Sequence, residues 1–348
     1  MKNRLQGRKD WVKKLVPCAV IIGAAGLFLY SFSNDIGKKE IEPVSRSAFA
    51  LDTFITVTLY DSEDTEILDG CIKLCQDYEK LLSKTIETSE IYQLNHRDPS
   101  VRRIEVSPET AEVIEKGLYY SALSGGAFDI TIEPASALWE FSGEESELPG
   151  EEELQEAIAK VGYEKVSVEG NEVVFQDSET TLDLGGIAKG YIADKMKEYL
   201  LERGVESAVI NLGGNVLCVG ERADGNPFQI GLREPFGDWN EQVAVLGIRD
   251  LSVVSSGVYE RHFVKDGVNY HHILNPDTGW PYQNGLASVT IVSEDSADGD
   301  ALSTVCFSLG LEQGLELADS LPDVWAYFIT EDGEIHYSEG ALELVAKQ

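Results

Sequence analysis

In the segment "ADGDALSTVCFSLG", Asp300 and Thr304 stand four residues apart within an otherwise apolar run. Positions four apart are neighbours on a helix surface, so the carboxylate and the hydroxyl could face one small object. The competing reading is a helix start, with Asp300 near the N-terminus as cap or dipole partner and Thr304 tolerated behind it. In "LDLGGIAKGY", Asp183 is predicted to end a strand, Gly185 and Gly186 to make a turn, and a helix to begin with Lys189 in its first turn. Helix N-termini present unpaired N–H groups and a positive dipole end, which suits phosphate. A lysine there opposes the dipole unless an anion is bound nearby. The alternative is an ordinary strand-to-helix connection with a surface lysine. The pattern is neither a P-loop nor a three-glycine dinucleotide fingerprint. In "NYHHILNPDTGWP", His271 and His272 fall on opposite faces of a presumed strand, His272 sharing its face with Tyr270 and Leu274. A turn follows at once, which makes this a place for a base, although strand histidines are more often structural. "VVSSGVYERHF" adds Ser256, Gly257 and Arg261, and "GAFDIT" adds a turn running to Asp129.

The elements that must position these residues follow from periodicity. "ALDTFITVTLYD" alternates and reads as a strand, while "TEILDGCIKLCQDYEKLLS" and "PETAEVIEKGLYYSALS" have helical spacing. "YEKVSVEGNEVVFQ" reads as a hairpin turning at Gly170-Asn171. A run of strands follows the glycine turn, then the helix containing Asp300, then a closing hairpin in "WAYFITEDGEIHY". Strands outnumber helices without alternating strictly with them, so an α+β architecture with mixed or antiparallel sheets and packed helices is expected rather than a doubly wound parallel sheet.

The 348-residue chain is 43% hydrophobic, which is the composition of a globular protein. Its start is different in kind. Six basic residues in positions 1–14 precede an uncharged apolar run over 15–32, near the ~20 residues that cross a bilayer. No small-x-small cleavage site follows, and Cys18 opens the run rather than closing it, unlike a lipobox cysteine. The expectation is a cytoplasmic basic tail (1–14), a single-pass anchor in a bacterial cell membrane (15–32), a linker (33–45) and one extracytoplasmic domain (46–348). A cleaved signal peptide is the alternative. Without residues 1–40 the body keeps 20 basic against 58 acidic residues, about −38, which argues against nucleic-acid binding. Cys71 and Cys75 are four apart in an expected helix, a spacing poorly suited to a disulfide, Cys218 and Cys306 sit in apolar runs as small core residues, and no Cys/His metal spacing is present.

Taken in order, "SEIYQLN", "GGAFDITIEP", "LDLGGIAKGYIAD", "INLGGNV", "SSGVYER", "HILNPDTGWP" and "ADGDALSTVCFSLG" resemble the ApbE family of FAD:protein FMN transferases over roughly residues 46–335. The resemblance implies a single α+β domain that takes FAD as substrate with Mg2+ as cofactor. It further implies cleavage of the FAD pyrophosphate, transfer of FMN to a threonine of another exported or membrane protein with an FMN-binding domain, and release of AMP. Carried over motif by motif, it makes Asp300 and Thr304 metal ligands, beside backbone oxygens of Gly186 and Ser303. It places Ala127, Phe128, Asp129, Asp183, Lys189 and Leu274 at the FAD site.

The mechanism implied is electrostatic more than covalent. The metal offsets charge on the leaving AMP, Lys189 and the helix mouth hold the remaining charge, and a base takes the threonine proton. His272 is the first choice for that base and His271 the second. Three departures from the family pattern stand out. Leu51-Asp52-Thr53 replaces a usual Met-Gly-Thr, Thr85 replaces a frequent aromatic, and a membrane helix replaces the usual lipid anchor. Two other activities fit the same residues, a Mg2+-dependent FAD pyrophosphatase and a non-enzymatic exported flavin-binding protein.

Overall fold

A computed structural model describes residues 42–141, 147–238 and 240–346. The basic tail, the anchor and most of the linker inferred above lie outside the described residues. Among the described residues no helix is long and apolar enough to cross a membrane.

The chain opens with the hairpin β1 (Val44–Ala50) and β2 (Thr53–Leu59), then α1 (Thr65–Leu82) and α2 (Glu90–Asn95). β3 (Arg103–Glu105), α3 (Pro108–Leu123), α4 (Glu133–Ser136) and α5 (Glu151–Ile158) lead to the hairpin β4 (Val166–Glu169) and β5 (Glu172–Phe175). Next come α6 (Ala188–Glu202), β6 (Ser207–Leu212), β7 (Asn215–Gly220), β8 (Phe228–Arg233), β9 (Gln242–Ile248) and β10 (Ser252–Gly257). The chain continues through β11 (His262–Lys265), β12 (Val268–His271), β13 (Leu286–Ser293), α7 (Ser296–Ser320), β14 (Trp325–Thr330) and β15 (Ile335–Tyr337).

Eight strands form one sheet in the order β1-β2-β6-β7-β10-β13-β14-β15, every neighbouring pair antiparallel. The α+β architecture expected from the strand count is the one observed. Helices α1, α6 and α7 cover one face, and their buried side chains join Ile55, Val57, Ile210, Val289 and Ile291 in the main core. The hairpin β8–β9 covers part of the other face, closing a second core around Val209, Cys218, Phe228, Leu246, Val253 and Val292. Strand β13 runs between the two layers, and all eight of its residues are buried. That placement explains why both alternating sets of its residues are apolar or small hydroxyl side chains, with no charge among them. The four described cysteines are free and buried, as the apolar runs around Cys218 and Cys306 predict for those two.

The structure departs from the sequence reading in three local places. "ALDTFITVTLYD" is not one strand, because Leu51 and Asp52, at φ 55° and 56°, make the two-residue turn of the β1–β2 hairpin. Two left-handed residues match the twist of paired strands, and the Leu51 N–H donates to Glu79 Oε1 at 2.6 Å, which holds the turn against α1. β1 begins at Val44, inside the stretch read as linker. Asp183 does not end a strand. The backbone of Leu182 is tied in both directions to the side chain of Asn95, the last residue of α2, and the Asp183 N–H donates to the Ile130 carbonyl, so these residues meet a helix end and a loop instead of a sheet partner.

Candidate active site

The site grows from the crossing of α6 and α7. A Cβ on Gly190 would lie 2.2 Å from the backbone oxygen of Ser296, so only glycine lets the two helices approach this closely. At the crossing each helix caps the other. The Asp194 carboxylate, on α6, accepts the Ser296 and Ala297 N–H groups at 2.8 Å each, while Asp300 Oδ2, on α7, accepts the Gly190 N–H at 2.9 Å. Asp300 is therefore not the cap of its own helix, a place that Asp295 holds. Its contact with Gly190 takes up one N–H donor of the α6 mouth that was read as suited to phosphate.

Asp300 is buried, and burial raises its pKa above the usual carboxylate range, offset in part by the Lys189 ammonium and by backbone N–H groups. The buried Asn215 side-chain nitrogen has no hydrogen-bond partner within bonding geometry, although it faces this carboxylate closely enough to favour its ionised form. One turn further along α7, the Thr304 hydroxyl lies 3.1 Å from Ser256 Oγ, which also lies 2.8 Å from Ser303 Oγ. Ser303 Oγ donates to the Asp300 backbone oxygen at 2.9 Å. Ser256 ends the helix-facing row of β10, so strand and helix together fix the direction of the Thr304 hydroxyl.

Gly186 closes the other side. A Cβ there would meet the Phe128 ring at 2.8 Å and lie 3.7 Å from Thr304 Oγ1. The buried Phe128 ring thus seats the glycine turn against α7, and the expected proximity of Gly186 to Thr304 is observed. The "GAFDIT" turn is fixed internally: Ser124 Oγ accepts the Phe128 N–H, and Tyr282 donates its hydroxyl to the Ala127 carbonyl at 2.9 Å. Asp129 accepts both donors of Thr131 and the Tyr163 N–H, and burial raises its pKa despite these bonds. Asp183 accepts Lys84 Nζ at 2.7 Å, Ser136 Oγ at 2.9 Å and the Gly185 N–H at 2.9 Å. Burial would raise the Asp183 pKa, but Lys84 and these donors outweigh it and hold the carboxyl below its ordinary value.

The two histidines separate cleanly. His271 ends β12, is buried, and has Nε2 2.8 Å from the Tyr282 carbonyl oxygen. Burial pushes its pKa down to about 4, and its ring meets Phe307 edge-on, so it is a satisfied core histidine. His272 lies just past the strand, partly open to the cleft, with Nδ1 3.4 Å from the Arg261 carbonyl oxygen. Dense surroundings, with His271, Arg261 and Lys189 as positive neighbours, push its pKa down to about 3. It is a neutral acceptor within the electrostatic reach of Lys189. Leu274 is buried elsewhere, in a small aromatic cluster with Trp139 and Leu154.

Lys189, Asp300, Gly186, Thr304, Ser303 and His272 therefore gather at one end of the sheet, while Asp183 and Asp129 fix the turns beside them and Leu274 lies apart. Ser256, Asn215 and Lys84 are absent from the roles inferred from sequence. The "SSG" at the end of a predicted strand was the one local signal for Ser256, whereas the Lys84–Asp183 pair joins positions 99 apart and has none. No group of three or more His, Cys, Asp or Glu side chains is placed to hold a metal among the described residues. The oxygen set here is one buried carboxylate with neutral hydroxyls and a backbone turn. That suits a hard cation completed by water and phosphate oxygens, and it fits Mg2+.

The ApbE family model matches residues 51–328. An FAD:protein FMN transferase of Treponema pallidum is 32% identical over 343 residues, covering 93% of this chain and 94% of the relative. Another of that description from Klebsiella pneumoniae is 36% identical over 296 residues, covering 84% and 90%. The crystal structure of the ApbE protein from Thermotoga maritima superposes with a TM-score of 0.80 at 31% identity, covering 88% of this chain and all of that one. The flavin transferase ApbE from Vibrio cholerae gives 0.78 at 26% identity, covering 87% and 99%.

Proposed function

The chain belongs to the ApbE family, and from that premise we propose that it is a Mg2+-dependent FAD:protein FMN transferase acting on a threonine of exported or membrane flavoproteins. The observation that carries this reading is the convergence of Lys189, Asp300, Thr304 and His272 at one cleft, with a buried carboxylate whose charge is only partly offset. Mg2+, when bound, supplies positive charge to the pyrophosphate and the leaving AMP, held by Asp300 and Thr304 beside Gly186.

The residues of this chain account for the remaining steps. Lys189 attracts the pyrophosphate and disfavours protonation of its neighbours. His272, neutral at physiological pH, accepts the proton of the acceptor threonine. The threonine oxygen then bonds to the FMN phosphorus, the bond from that phosphorus to the bridging oxygen breaks, and AMP departs with that oxygen. Phe128 keeps the Gly186 turn in register, and Ser256 keeps the Thr304 hydroxyl aimed inward. The apolar run at 15–32 supports a single-pass anchor that leaves this domain outside a bacterial cell.

The test combines the full chain, FAD, Mg2+ and an FMN-binding domain whose target threonine follows two small residues. A denaturing gel should show flavin fluorescence on the acceptor band, abolished by EDTA and by Asp300→Ala. A dark band with AMP still released would make the protein an FAD pyrophosphatase. No transfer and no AMP, with FAD still bound, would make it a flavin-binding protein.

A further inference from the structure

A row of exposed aromatic rings borders the cleft. Phe49 and Phe54 face each other across the β1–β2 hairpin, 63% and 76% exposed, with ring centroids 5.6 Å apart in an edge-to-face arrangement. Phe236, in the β8–β9 connection, is 58% exposed and packs edge-on against Tyr259 at 5.8 Å and His262 at 6.0 Å. Contacts connect the two groups through the mouth of the site. Thr53, beside Phe54, abuts Gly213, where a Cβ would lie 2.4 Å from its hydroxyl oxygen. A Cβ on the next residue, Gly214, would lie 3.9 Å from Glu260 Oε1. Glu260 is exposed and feels Lys189, Arg233, Arg261 and Asp300 as neighbouring charges, and it follows Tyr259 directly.

We propose that Phe49, Phe54 and Phe236 form the docking rim for the polypeptide that accepts FMN, an inference that rests on the transferase reading. Three features select this occupant. Covalent transfer requires an acceptor side chain to reach the Lys189–Asp300–His272 cleft, and the exposed Gly214, Glu260 and Arg261 lie between the aromatic groups at its mouth. Phenylalanine and arginine are among the side chains enriched at protein–protein interfaces. Phe49 and Phe54 also brace each other edge to face on a two-residue turn tied to Glu79, which lowers the conformational cost of docking there. The strongly acidic body disfavours an anionic lipid surface as the occupant.

The test uses the full chain with Phe49→Thr/Phe54→Thr and, separately, Phe236→Asn, a residue that tolerates the left-handed backbone found there. FAD affinity and AMP release without acceptor should match wild type, while kcat/KM for transfer to the FMN-binding domain falls at least tenfold through KM. Anisotropy of the labelled domain, with its target threonine changed to valine, should show the same loss of binding. Unchanged transfer and binding would overturn the proposal. So would a matching loss of FAD affinity, which would assign the rings to the flavin. Loss of binding to phosphatidylglycerol vesicles, or of a concentration-dependent dimer, with acceptor binding intact would assign them to a membrane or to a second copy. If wild type binds the domain through these rings yet transfers no flavin, the transferase reading fails and the docking surface stands. If wild type does not bind the domain, the docking proposal fails.

Discussion

Asp194 and Asp300 perform the same structural task at the two ends of one helix crossing, and their surroundings differ. Each reaches from its own helix to backbone N–H groups at the start of the other. Burial raises both, Asp194 to about 7. Asp194 turns both oxygens to the α7 backbone. Asp300 gives Oδ2 to Gly190 and sits beside Lys189, one helical turn from the Thr304–Ser256–Ser303 hydroxyl cluster. The carboxylate that only caps a helix and the one proposed to hold a metal as well differ here by the oxygen left uncommitted to backbone and by what stands next to them.

Paired substitutions break this symmetry most strongly. Asp300→Asn keeps an oxygen for the Gly190 N–H but removes the charge. Transfer should fall by about 10²–10³, the range typical of losing one electrostatic stabiliser of a transition state. Asp194→Asn should leave kcat within about threefold, while replacing one acceptor of its two backbone hydrogen bonds, each worth roughly 0.5–1.5 kcal/mol. Transfer assays and denaturant midpoints on the two variants separate the roles. If Asp194→Asn were as inactive as Asp300→Asn, the difference drawn between the two ends would be wrong.

Gly190→Ala acts on both ends at once. Its methyl group would press on Ser296 backbone rather than on a flexible side-chain tip, so relief requires the helices to part. A loss of about 1–3 kcal/mol or more is expected from overpacking. The denaturant midpoint should drop, and activity should fall even where the protein remains folded. Ser256→Ala is milder and acts at the Asp300 end alone. It removes the partner of the Thr304 hydroxyl, a contribution of about 1 kcal/mol, or roughly fivefold. The Mg2+ concentration needed to tighten FAD binding should rise by about that factor, with thermal stability nearly unchanged. A Mg2+ titration of FAD fluorescence reads this without turnover.

Periodicity carried much of this architecture. Helices α1 and α3 and the β4–β5 hairpin follow the spacing of apolar residues and the turn at Gly170-Asn171. The Asp300–Thr304 helix was equally legible, although non-helical backbone at Gly310, φ 79°, interrupts its later part. The Leu51-Asp52 turn was hidden because it contains neither glycine nor asparagine and interrupts an alternating apolar run. That Asp183 does not end a strand was hidden, because Leu182 is held by Asn95 and Asp183 by Ile130, contacts that local sequence does not encode. The reciprocal capping at the α6–α7 crossing was hidden for the same reason. A carboxylate four residues into a helix has no local reason to serve the backbone of another.

The pH dependence of the histidine pair is the smallest predicted change and the sharpest discrimination. An unperturbed histidine base would impose an acid limb near pH 6.5. With its pKa lowered to about 3, His272 stays neutral across that range, so kcat/KM should change less than about twofold from pH 7.5 to 5.5. The same depression has a sign in stability. Below pH 6.5 the unfolded chain binds protons at His271 and His272 that the folded chain excludes, so their contribution is complete above pH 6.5 and declines as pH falls toward about 4 and about 3. His272→Gln should therefore lose less stability than wild type between pH 6.5 and 4.5 while losing transfer by about 10²–10⁴. A His271→Gln variant shares the first behaviour, but it breaks the bond to the Tyr282 carbonyl and with it the anchor beside Ala127. Thermal melts across that pH range, set beside pH–rate profiles of both variants, distinguish the base from the core histidine. An acid limb at pH 6.5 that His272→Gln abolishes would show that the cleft is more open to water than this packing allows.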